Sequence, residues 1–173
     1  MLITPDEQDP DVMYMKLAVE EAQKSEKTDS AYCVGALLVL PISGYNAEDS
    51  KTSPEPVRII AAGYSRELPG NTHAEECALA KVNDIKEIKG ATCYTTMEPC
   101  SKRLSGKDPC TDRLIQAGIK RVVIGATEPD HFVQCEGISL LEKAGVEVKL
   151  LKGLEELCLG PNNHILQAKK NDA

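Results

Sequence analysis

Apolar and polar positions in the first third of the chain predict one helix and a pair of strands. From Asp11 the apolar residues recur three and four positions apart, which is the spacing of an amphipathic helix. These residues are Val12, Met15, Leu17, Ala18 and Ala22. Residues 34–40 form a short apolar run that predicts a buried strand, and residues 57–64 predict its hairpin partner. The polar residues 1–10 are expected to be poorly ordered, and residues 41–56 to form a loop.

The rest of the chain alternates between helical and strand patterns. Residues 72–84 are rich in Ala, Glu, Leu and Lys and predict a helix, with Thr72 as its N-cap and Glu75 completing a capping box. Further strands are predicted at 91–96, 120–126 and 146–151, further helices at 111–117 and 136–144, and a helical tail from Gly153 that is interrupted at Gly160-Pro161. This order predicts a single domain over residues 1–173, folded as a three-layer α/β/α sandwich around a mixed five-stranded sheet.

The charge balance narrows the choice of partners. The chain has 27 Asp and Glu against 20 Lys and Arg, a formal net charge of −7. Binding to nucleic acid rests on neutralising many phosphates, so we expect no nucleic-acid partner. A small anionic metabolite needs only one local basic patch. No apolar stretch approaches the ~20 residues that cross a bilayer, so no membrane partner is expected either.

The cysteine content indicates a reducing compartment. There are seven cysteines, no signal peptide opens the chain, and several cysteines lie within apolar runs. We therefore expect free thiols in a cytoplasmic protein rather than a disulfide framework. Small buried hydrophobic residues are the interpretation for five of them: Cys33, Cys77, Cys93, Cys135 and Cys158. His131 and His164 have no ligand partner in sequence, and His164 is expected on the surface of the tail.

Three short segments carry candidate metal chemistry: His73-Ala74-Glu75, Glu98-Pro99-Cys100 and Pro109-Cys110. They supply one imidazole, two thiolates and a carboxylate beside the first ligand. Catalytic zinc keeps three protein ligands and leaves a fourth position for water, whereas a structural site closes the tetrahedron with a fourth Cys or His. We therefore predict Zn²⁺ at His73, Cys100 and Cys110, with Glu75 as the catalytic acid and base.

Local structure is expected to favour the thiolate form of the ligands. His73 and Glu75 would lie in the first turn of one helix, and Cys100, which follows a strand end and a proline, would begin another. Helix N-termini directed at the metal stabilise negative charge. Cys77 lies four residues after His73, but a core thiol packed on the sheet is favoured over a ligand.

The loop between the two cysteine ligands resembles one family. Most of the cytidine deaminase superfamily places only a few residues between these cysteines, whereas the pyrimidine deaminases of riboflavin biosynthesis have a long loop. Residues 98–110 share with them the Ser after the first Cys, a Gly-Lys pair and the Pro before the second Cys. Val34-Gly35-Ala36 resembles the first-strand signature of that family, and residues 128–148 resemble its last helix and strand.

The resemblance implies a substrate site around the metal. The family Asn that holds the substrate is Ala31 here, so Asn71 or Tyr32 is expected to hold the pyrimidine instead. Further expected substrate-binding residues are Ala74, Ser101, Arg103, Lys107, Glu128 and Asp130. Glu128 and Asp130 would meet ribityl hydroxyls. Lys102, Arg103 and Lys107 lie in the cysteine loop with Ser101 and Ser105, and Lys107, which matches the basic position of the family, is the favoured phosphate ligand.

The same resemblance implies a reaction and an assembly. Bacterial members fuse this domain to a reductase, for which 173 residues leave no room, so the chain resembles the free-standing fungal branch. The implied reaction is deamination of 2,5-diamino-6-ribitylamino-4(3H)-pyrimidinone 5'-phosphate to 5-amino-6-ribitylaminouracil 5'-phosphate. A homodimer is also implied.

Two other functions compete with this interpretation. One is a zinc deaminase acting on cytosine, dCMP or a tRNA adenosine; the long basic cysteine loop and the acidic balance argue against free nucleosides and tRNA respectively. The other is a non-catalytic zinc fold used as an interaction module. Glu75 argues against that module, because a scaffold has no use for a carboxylate beside an open metal position.

Overall fold

The computed structural model describes residues 8–41, 57–129 and 135–171, and the structural statements below concern these residues. The strands are β1 (Gly35–Pro41), β2 (Val57–Tyr64), β3 (Thr92–Thr95), β4 (Arg121–Ile124) and β5 (Glu147–Leu150). The helices are α1 (Pro10–Gln23), α2 (Ala74–Ala80), α3 (Cys110–Gln116), α4 (Gly137–Lys143), α5 (Glu155–Leu159) and α6 (Asn163–Asn171). Short 3-10 helices span Ile85–Ile88 and Gly160–Asn162.

The strands form one mixed sheet in the order β2-β1-β3-β4-β5. Strand β1 pairs antiparallel with β2 and β3, whereas β4 pairs parallel with β3 and β5. Strands β1 and β2 are consecutive in the chain and form an antiparallel hairpin, and the helices α3 and α4 provide the crossovers that parallel neighbours require. The predicted mixed five-stranded sheet and its hairpin are confirmed.

Alternate residues of the central strands feed two apolar cores on opposite faces of the sheet. Leu38, Cys93 and Val122 lie in the core shared with α2, α3 and α4. Their chain neighbours Leu37, Tyr94 and Val123 lie in the core shared with α1 and α5. Because successive strand residues point to opposite faces, the unbroken apolar runs read from the sequence are strands buried on both sides. The predicted three-layer α/β/α arrangement is confirmed.

Glycine allows α2 to approach the sheet closely enough to place its N-terminus over the strand ends. A Cβ atom at Gly63 of β2 would lie 2.4 Å from the Ala74 carbonyl oxygen and 2.5 Å from the Ala78 nitrogen. Any larger residue at this position would push the helix away, and with it the His73-Ala74-Glu75 segment. The packing of α2 on β2 therefore determines the position of the candidate chemistry.

The start of α2 differs from the prediction by one residue. Its N-cap is His73 rather than Thr72, and the Thr72 hydroxyl instead donates to the Leu68 carbonyl oxygen. The acid that accepts the hydrogen bond of the His73 backbone N–H is Glu76, at 3.3 Å, and not Glu75. Glu75 is thereby released from capping and turns towards the sheet. The helix also ends at Ala80 rather than near residue 84.

The remaining helix and strand predictions agree with the structure to within a few residues. Helix α1 begins at Pro10, with Asp9 as its N-cap. Helix α3 begins at Cys110, one residue earlier than predicted. The tail is helical and interrupted at Gly160–Asn162, as predicted. Residues 1–7 and 42–56 lie outside the described residues. Across the described ranges, no helix combines the length and apolar content needed to cross a membrane.

Candidate active site

His73, Cys100 and Cys110 come together at one end of the sheet, near the end of the central strand β3. The His73 Nδ1 lies 3.4 Å from Cys100 Sγ and 3.5 Å from Cys110 Sγ. One ligand atom from each residue lies within 4.8 Å of the other two. In the part of the chain that the structure describes, this is the single group of His, Cys, Asp and Glu residues that could hold a metal ion.

The spacing of the three ligand atoms fits zinc. Zinc takes nitrogen ligands at ~2.0–2.1 Å and thiolate ligands at ~2.3 Å in a tetrahedron, which puts neighbouring N and S ligands ~3.5–3.6 Å apart. The observed N–S distances of 3.4 and 3.5 Å match that edge. Among the described residues no fourth protein ligand joins the imidazole and the two thiolates, which is the ligand set of a catalytic zinc site rather than of a closed structural one.

The two cysteines differ in how the backbone supports them. Cys110 begins α3 after Pro109, whereas Cys100 lies in the preceding loop, so the prediction that a helix begins at Cys100 is wrong. The Cys110 backbone N–H donates to Cys100 Sγ at 3.3 Å. Hydrogen bonds from Cys110 and His73 lower the pKa of the Cys100 thiol to about 4. Cys100 therefore favours the thiolate form that zinc binds.

Glu75 is buried beside the three ligands. Glu75 is 3% exposed, and its Oε1 accepts a hydrogen bond from Thr95 Oγ1 at 3.0 Å. Burial, reinforced by the charge on Cys100, raises the pKa of Glu75. A raised pKa makes a carboxylate bind a proton more readily than a free one does, which suits a group that shuttles protons.

A cavity of about 300 Å³ opens above Glu75 and the ligands. Of the predicted substrate residues, Tyr32, Asn71, Arg103 and Glu128 line it. Ala74, Ser101 and Lys107 do not line it. Ala74 is fully buried against Gly63, and Ser101 Oγ accepts the hydrogen bond of the Glu136 backbone N–H at 3.2 Å. Asp130 and His131 lie outside the described residues.

Arg103 is held by partners in the protein. Its Nη1 donates to Glu76 Oε2 at 2.7 Å and its Nη2 to the Asn71 carbonyl oxygen at 2.5 Å, and its side chain is 3% exposed. Lys107 Nζ and Arg113 Nη2 approach Glu76 Oε1 at 4.0 and 3.6 Å. Glu76 thus joins the cysteine loop to the start of α2, a role that the sequence analysis missed although its position three residues after His73 is that of a capping acid.

Further residues of the cavity were also missed. Arg66 is the non-glycine residue with positive φ (65°) among the described residues, and it lines the cavity. Its guanidinium donates to the Glu26 carbonyl oxygen from Nε at 3.1 Å and to the Tyr32 carbonyl oxygen from Nη1 at 3.0 Å. Arg66 therefore holds the irregular wall that carries Tyr32. Nothing in the local pattern distinguishes this arginine from a surface residue.

The remaining cysteines and His164 differ in how deeply they are buried. Cys33, Cys77, Cys93 and Cys158 are buried, as predicted. Cys135 is only half-buried, and its thiol donates to the Pro99 carbonyl oxygen at 3.5 Å, so its assignment to the core is wrong. His164 is not on the surface: it is half-buried, with Nε2 3.0 Å from the Thr28 carbonyl oxygen. The helical tail contacts residues 28–33 through this ring and through Asn162, which pairs with Cys33.

Comparison with known proteins adds independent evidence. The curated diaminohydroxyphosphoribosylamino-pyrimidine deaminase of Schizosaccharomyces pombe is 47% identical over 149 residues, covering 84% of this chain and 33% of that protein. The riboflavin biosynthesis protein RibD of Aquifex aeolicus is 36% identical over 139 residues, covering 80% of this chain and 34% of that protein. The chain therefore spans about a third of the length of these two curated relatives.

A solved structure matches over a whole chain. Aspergillus oryzae Rib2 deaminase, a C-terminal deletion mutant in complex with DARIPP, gives a TM-score of 0.70 at 29% identity, covering 95% of this chain and 100% of that one. The family model of the cytidine and deoxycytidylate deaminase zinc-binding region matches residues 8–126, which include all three ligands and Glu75. The resemblance drawn from the cysteine loop is confirmed, and this chain belongs to the cytidine and deoxycytidylate deaminase zinc-binding family.

Proposed function

We propose that the protein is a zinc-dependent pyrimidine deaminase of riboflavin biosynthesis. Its substrate would be 2,5-diamino-6-ribitylamino-4(3H)-pyrimidinone 5'-phosphate, and its products 5-amino-6-ribitylaminouracil 5'-phosphate and ammonia. The observation that carries the proposal is the open His73-Cys100-Cys110 group beside the buried Glu75, at the floor of a cavity. The activity named for the Schizosaccharomyces relative and the DARIPP bound in the Aspergillus complex support this choice among zinc deaminases.

The chemistry divides between the metal and Glu75. Zinc, when held by the three ligands, supplies Lewis acidity that brings the pKa of water to ~7. A carboxylate oxygen of Glu75 would take one proton from water and deliver it to the ring nitrogen next to the carbon that bears the amine, while the water oxygen bonds to that carbon. Glu75 would then carry the second proton from that oxygen to the amine, so that the C–N bond breaks, ammonia leaves and a carbonyl remains. Water supplies the oxygen and both protons, and the reaction needs no oxidant.

The pyrimidine and its ribityl chain would lie between two walls of the cavity. Tyr32 lies on one wall, where burial and the charge of Glu128 raise its pKa and keep its hydroxyl a hydrogen-bond donor. Glu128, whose own pKa is raised by burial, would accept hydrogen bonds from ribityl hydroxyls. Asp130 would extend this acceptor set, and the Asn71 side chain would contact the ring.

The phosphate would be bound by the cysteine loop. Lys102 and Ser105 line the cavity and are exposed, so their ammonium and hydroxyl groups can reach a phosphate. Arg103 lines the cavity as well, but its bonds to Glu76 and Asn71 make it a support of the loop. Lys107 would act at longer range from the loop, as would Ser101. We therefore propose Lys102 as the principal phosphate ligand.

Ammonia release tests the function directly. Zinc-loaded protein is given the ribitylamino pyrimidine phosphate, and separately its ribosylamino counterpart, dCMP and cytidine. Turnover of the ribitylamino compound alone supports the proposal and the fungal order of reactions. Turnover of dCMP or cytidine without it would retain the zinc chemistry and exclude the riboflavin substrate. No turnover of any pyrimidine, with zinc bound, would favour the interaction module.

The resemblance also supports a proposed homodimer. Light scattering on the zinc-loaded chain, whose mass is 18.8 kDa, measures the assembly. A mass of one chain at micromolar concentration would exclude the dimer without affecting the proposed reaction.

A further inference from the structure

We propose that Thr95 is a positioning residue that orients the Glu75 carboxylate for proton transfer. Its hydroxyl holds Oε1, which leaves Oε2 as the oxygen that exchanges protons with the reactants. The inference rests on the proposed deaminase function, because it assigns Thr95 a part in the same reaction. It does not concern the metal ligands.

The contact between Thr95 and Glu75 is short and fully enclosed. Thr95 Oγ1 lies 3.0 Å from Glu75 Oε1, and Thr95 has no solvent exposure. A buried carboxylate needs hydrogen-bond donors, because an unsatisfied buried charge is costly. The Cys110 side chain also forms a hydrogen bond with Glu75, but Cys110 is a predicted metal ligand and Thr95 is not.

Thr95 occupies a rigid position in the sheet. It is the last residue of β3, a central strand, and its Cα pairs with Ala36 of β1 and with Ile124 of β4. Its own carbonyl oxygen accepts the Gly125 N–H at 3.0 Å. Glu75, in contrast, is carried by the first turn of α2. The hydrogen bond therefore connects a helix to the sheet at the reacting carboxylate.

The hydroxyl lies between two acceptors, which limits the directions in which it can turn. The Met97 carbonyl oxygen also lies 3.0 Å from Thr95 Oγ1. The hydroxyl has one proton and can donate it to only one of the two acceptors at a time, and the charged Glu75 carboxylate is the stronger acceptor. A proton-transferring group must return to one geometry in every cycle, and a misplacement of ~1 Å can cost ~10²-fold in rate.

Substitution of Thr95 by valine tests this role, because valine keeps the branched shape and removes the hydroxyl. We expect Thr95→Val to lower kcat by about 10- to 100-fold with unchanged zinc content and unchanged KM. Thr95→Ser restores the hydroxyl and should recover kcat to within about threefold. In a Glu75→Gln background, Thr95→Val should cause no further loss, because the two residues act as one unit.

Thr96 provides a matched control. It is also fully buried, and its Oγ1 accepts the Gly35 backbone N–H at 3.1 Å. Thr96→Val should lower the midpoint of thermal unfolding while the folded protein retains its kcat. If Thr95→Val and Thr96→Val lower kcat equally, or if the loss of Thr95→Val follows its loss of zinc, Thr95 has a merely structural role and the inference is overturned.

The outcome separates the inference from the proposed function. An active wild type with an undiminished Thr95→Val variant overturns the role of Thr95 alone. A wild type that deaminates only dCMP or cytidine overturns the riboflavin substrate, and the same variants are then compared on that compound. A crystal structure of Thr95→Val gives a readout without substrate: a displaced or disordered Glu75 carboxylate supports the inference, and an unchanged carboxylate overturns it.

Discussion

Asn162 and Cys33 lie 129 residues apart in the chain and exchange two hydrogen bonds. The Cys33 N–H donates to Asn162 Oδ1 at 2.6 Å, and Asn162 Nδ2 donates to the Cys33 carbonyl oxygen at 3.0 Å. The fully buried Asn162 amide thus satisfies both the N–H and the carbonyl of Cys33, as the backbone of a neighbouring strand would. Through this pair the helical tail supports residues 30–32, which line the cavity.

Removing the Asn162 amide should loosen that wall. Asn162→Leu leaves the Cys33 N–H and carbonyl buried without partners, so we expect the free energy of unfolding to fall by about 2–4 kcal/mol. We also expect KM to rise more than kcat falls, because the wall carries Tyr32 and not Glu75. Urea unfolding and steady-state kinetics measure the two effects. The control is Asn163→Ala at the exposed neighbouring position, which should leave the free energy of unfolding and KM unchanged. If Asn162→Leu and Asn163→Ala have the same KM, Asn162 does not support the cavity wall.

Neutralising Glu75 should separate metal binding from turnover. Glu75→Gln keeps the shape of the side chain and the acceptor for Thr95, but it cannot take a proton. We expect full zinc content and a loss of kcat of about 10²–10⁴-fold. Metal analysis and ammonia release check the prediction. Exposed Glu87, changed to Gln, serves as a control that retains activity. Turnover by Glu75→Gln at the rate of the wild type would exclude Glu75 as the proton carrier.

Losing a thiolate ligand should cost both the metal and stability. Cys110→Ala removes a ligand that joins the start of α3 to His73 and Cys100, so zinc should be lost and thermal unfolding should occur at lower temperature. Cys77→Ala removes another buried thiol from α2, outside the ligand group, and should keep its zinc. Metal content after dialysis distinguishes the two. Stoichiometric zinc in Cys110→Ala would contradict the ligand assignment.

The contact of α4 with the first cysteine segment should tolerate no side chain at Gly137. A Cβ atom there would lie 2.1 Å from the Pro99 carbonyl oxygen, a backbone atom that cannot rotate away, and 3.2 Å from Cγ of the Glu98 side chain. We expect Gly137→Ala to destabilise the protein by about 1–3 kcal/mol and to weaken zinc binding, because Pro99 precedes Cys100.

Gly160→Ala is the control for this contact. A Cβ at Gly160 would meet nothing within 4 Å, so Gly160→Ala introduces no clash and reports only the conformational preference of the residue before Pro161. Chemical unfolding and a zinc chelator competition measure both variants. A Gly137→Ala protein as stable as Gly160→Ala would show that α4 moves without cost.

Asp11 should make stability depend on pH in the acid range. The buried carboxylate accepts hydrogen bonds from Arg121 (2.8 Å to each oxygen), Lys149 (2.6 Å) and Tyr94 (2.8 Å). Burial would raise the pKa of Asp11, but the bonds from Arg121, Lys149 and Tyr94 hold it well below its usual range. The stabilisation is therefore complete above the unfolded-state pKa of ~3.9 and is lost as the pH falls towards the folded-state value.

The variant Asp11→Asn isolates this contribution. At pH 7 it removes the carboxylate that Arg121 and Lys149 share, but both cations are partly exposed and keep Glu147 and Asp9 as partners, so we expect a loss of about 1–3 kcal/mol. The difference in unfolding free energy between wild type and variant should shrink as the pH falls below ~4. Urea unfolding at pH 7, 5 and 3 gives the comparison. A difference that stays constant down to pH 3 would contradict the assignment of the lowered pKa.

Local patterns in the sequence determined the elements of the fold and the identity of the metal centre. The strands and helices could be predicted from the spacing of apolar residues, because a helical turn or a strand repeat involves residues only two to four positions apart. His73, Cys100, Cys110 and Glu75 follow from residue type and order, because only imidazole, thiolate and carboxylate provide this coordination and proton chemistry. The composition and motif were therefore sufficient to indicate a zinc deaminase.

Only the tertiary structure decided which residues support these groups. Periodicity shows which face of an element is buried, but it does not show which residue on another element it meets. Thr95 under Glu75 and Asn162 against Cys33 depend on how helices and tail pack on the sheet. In the same way, the Glu76 carboxylate occupies Arg103 and leaves Lys102 facing the cavity. Contacts between distant residues arise from the packing of whole elements, and no local stretch of sequence encodes them.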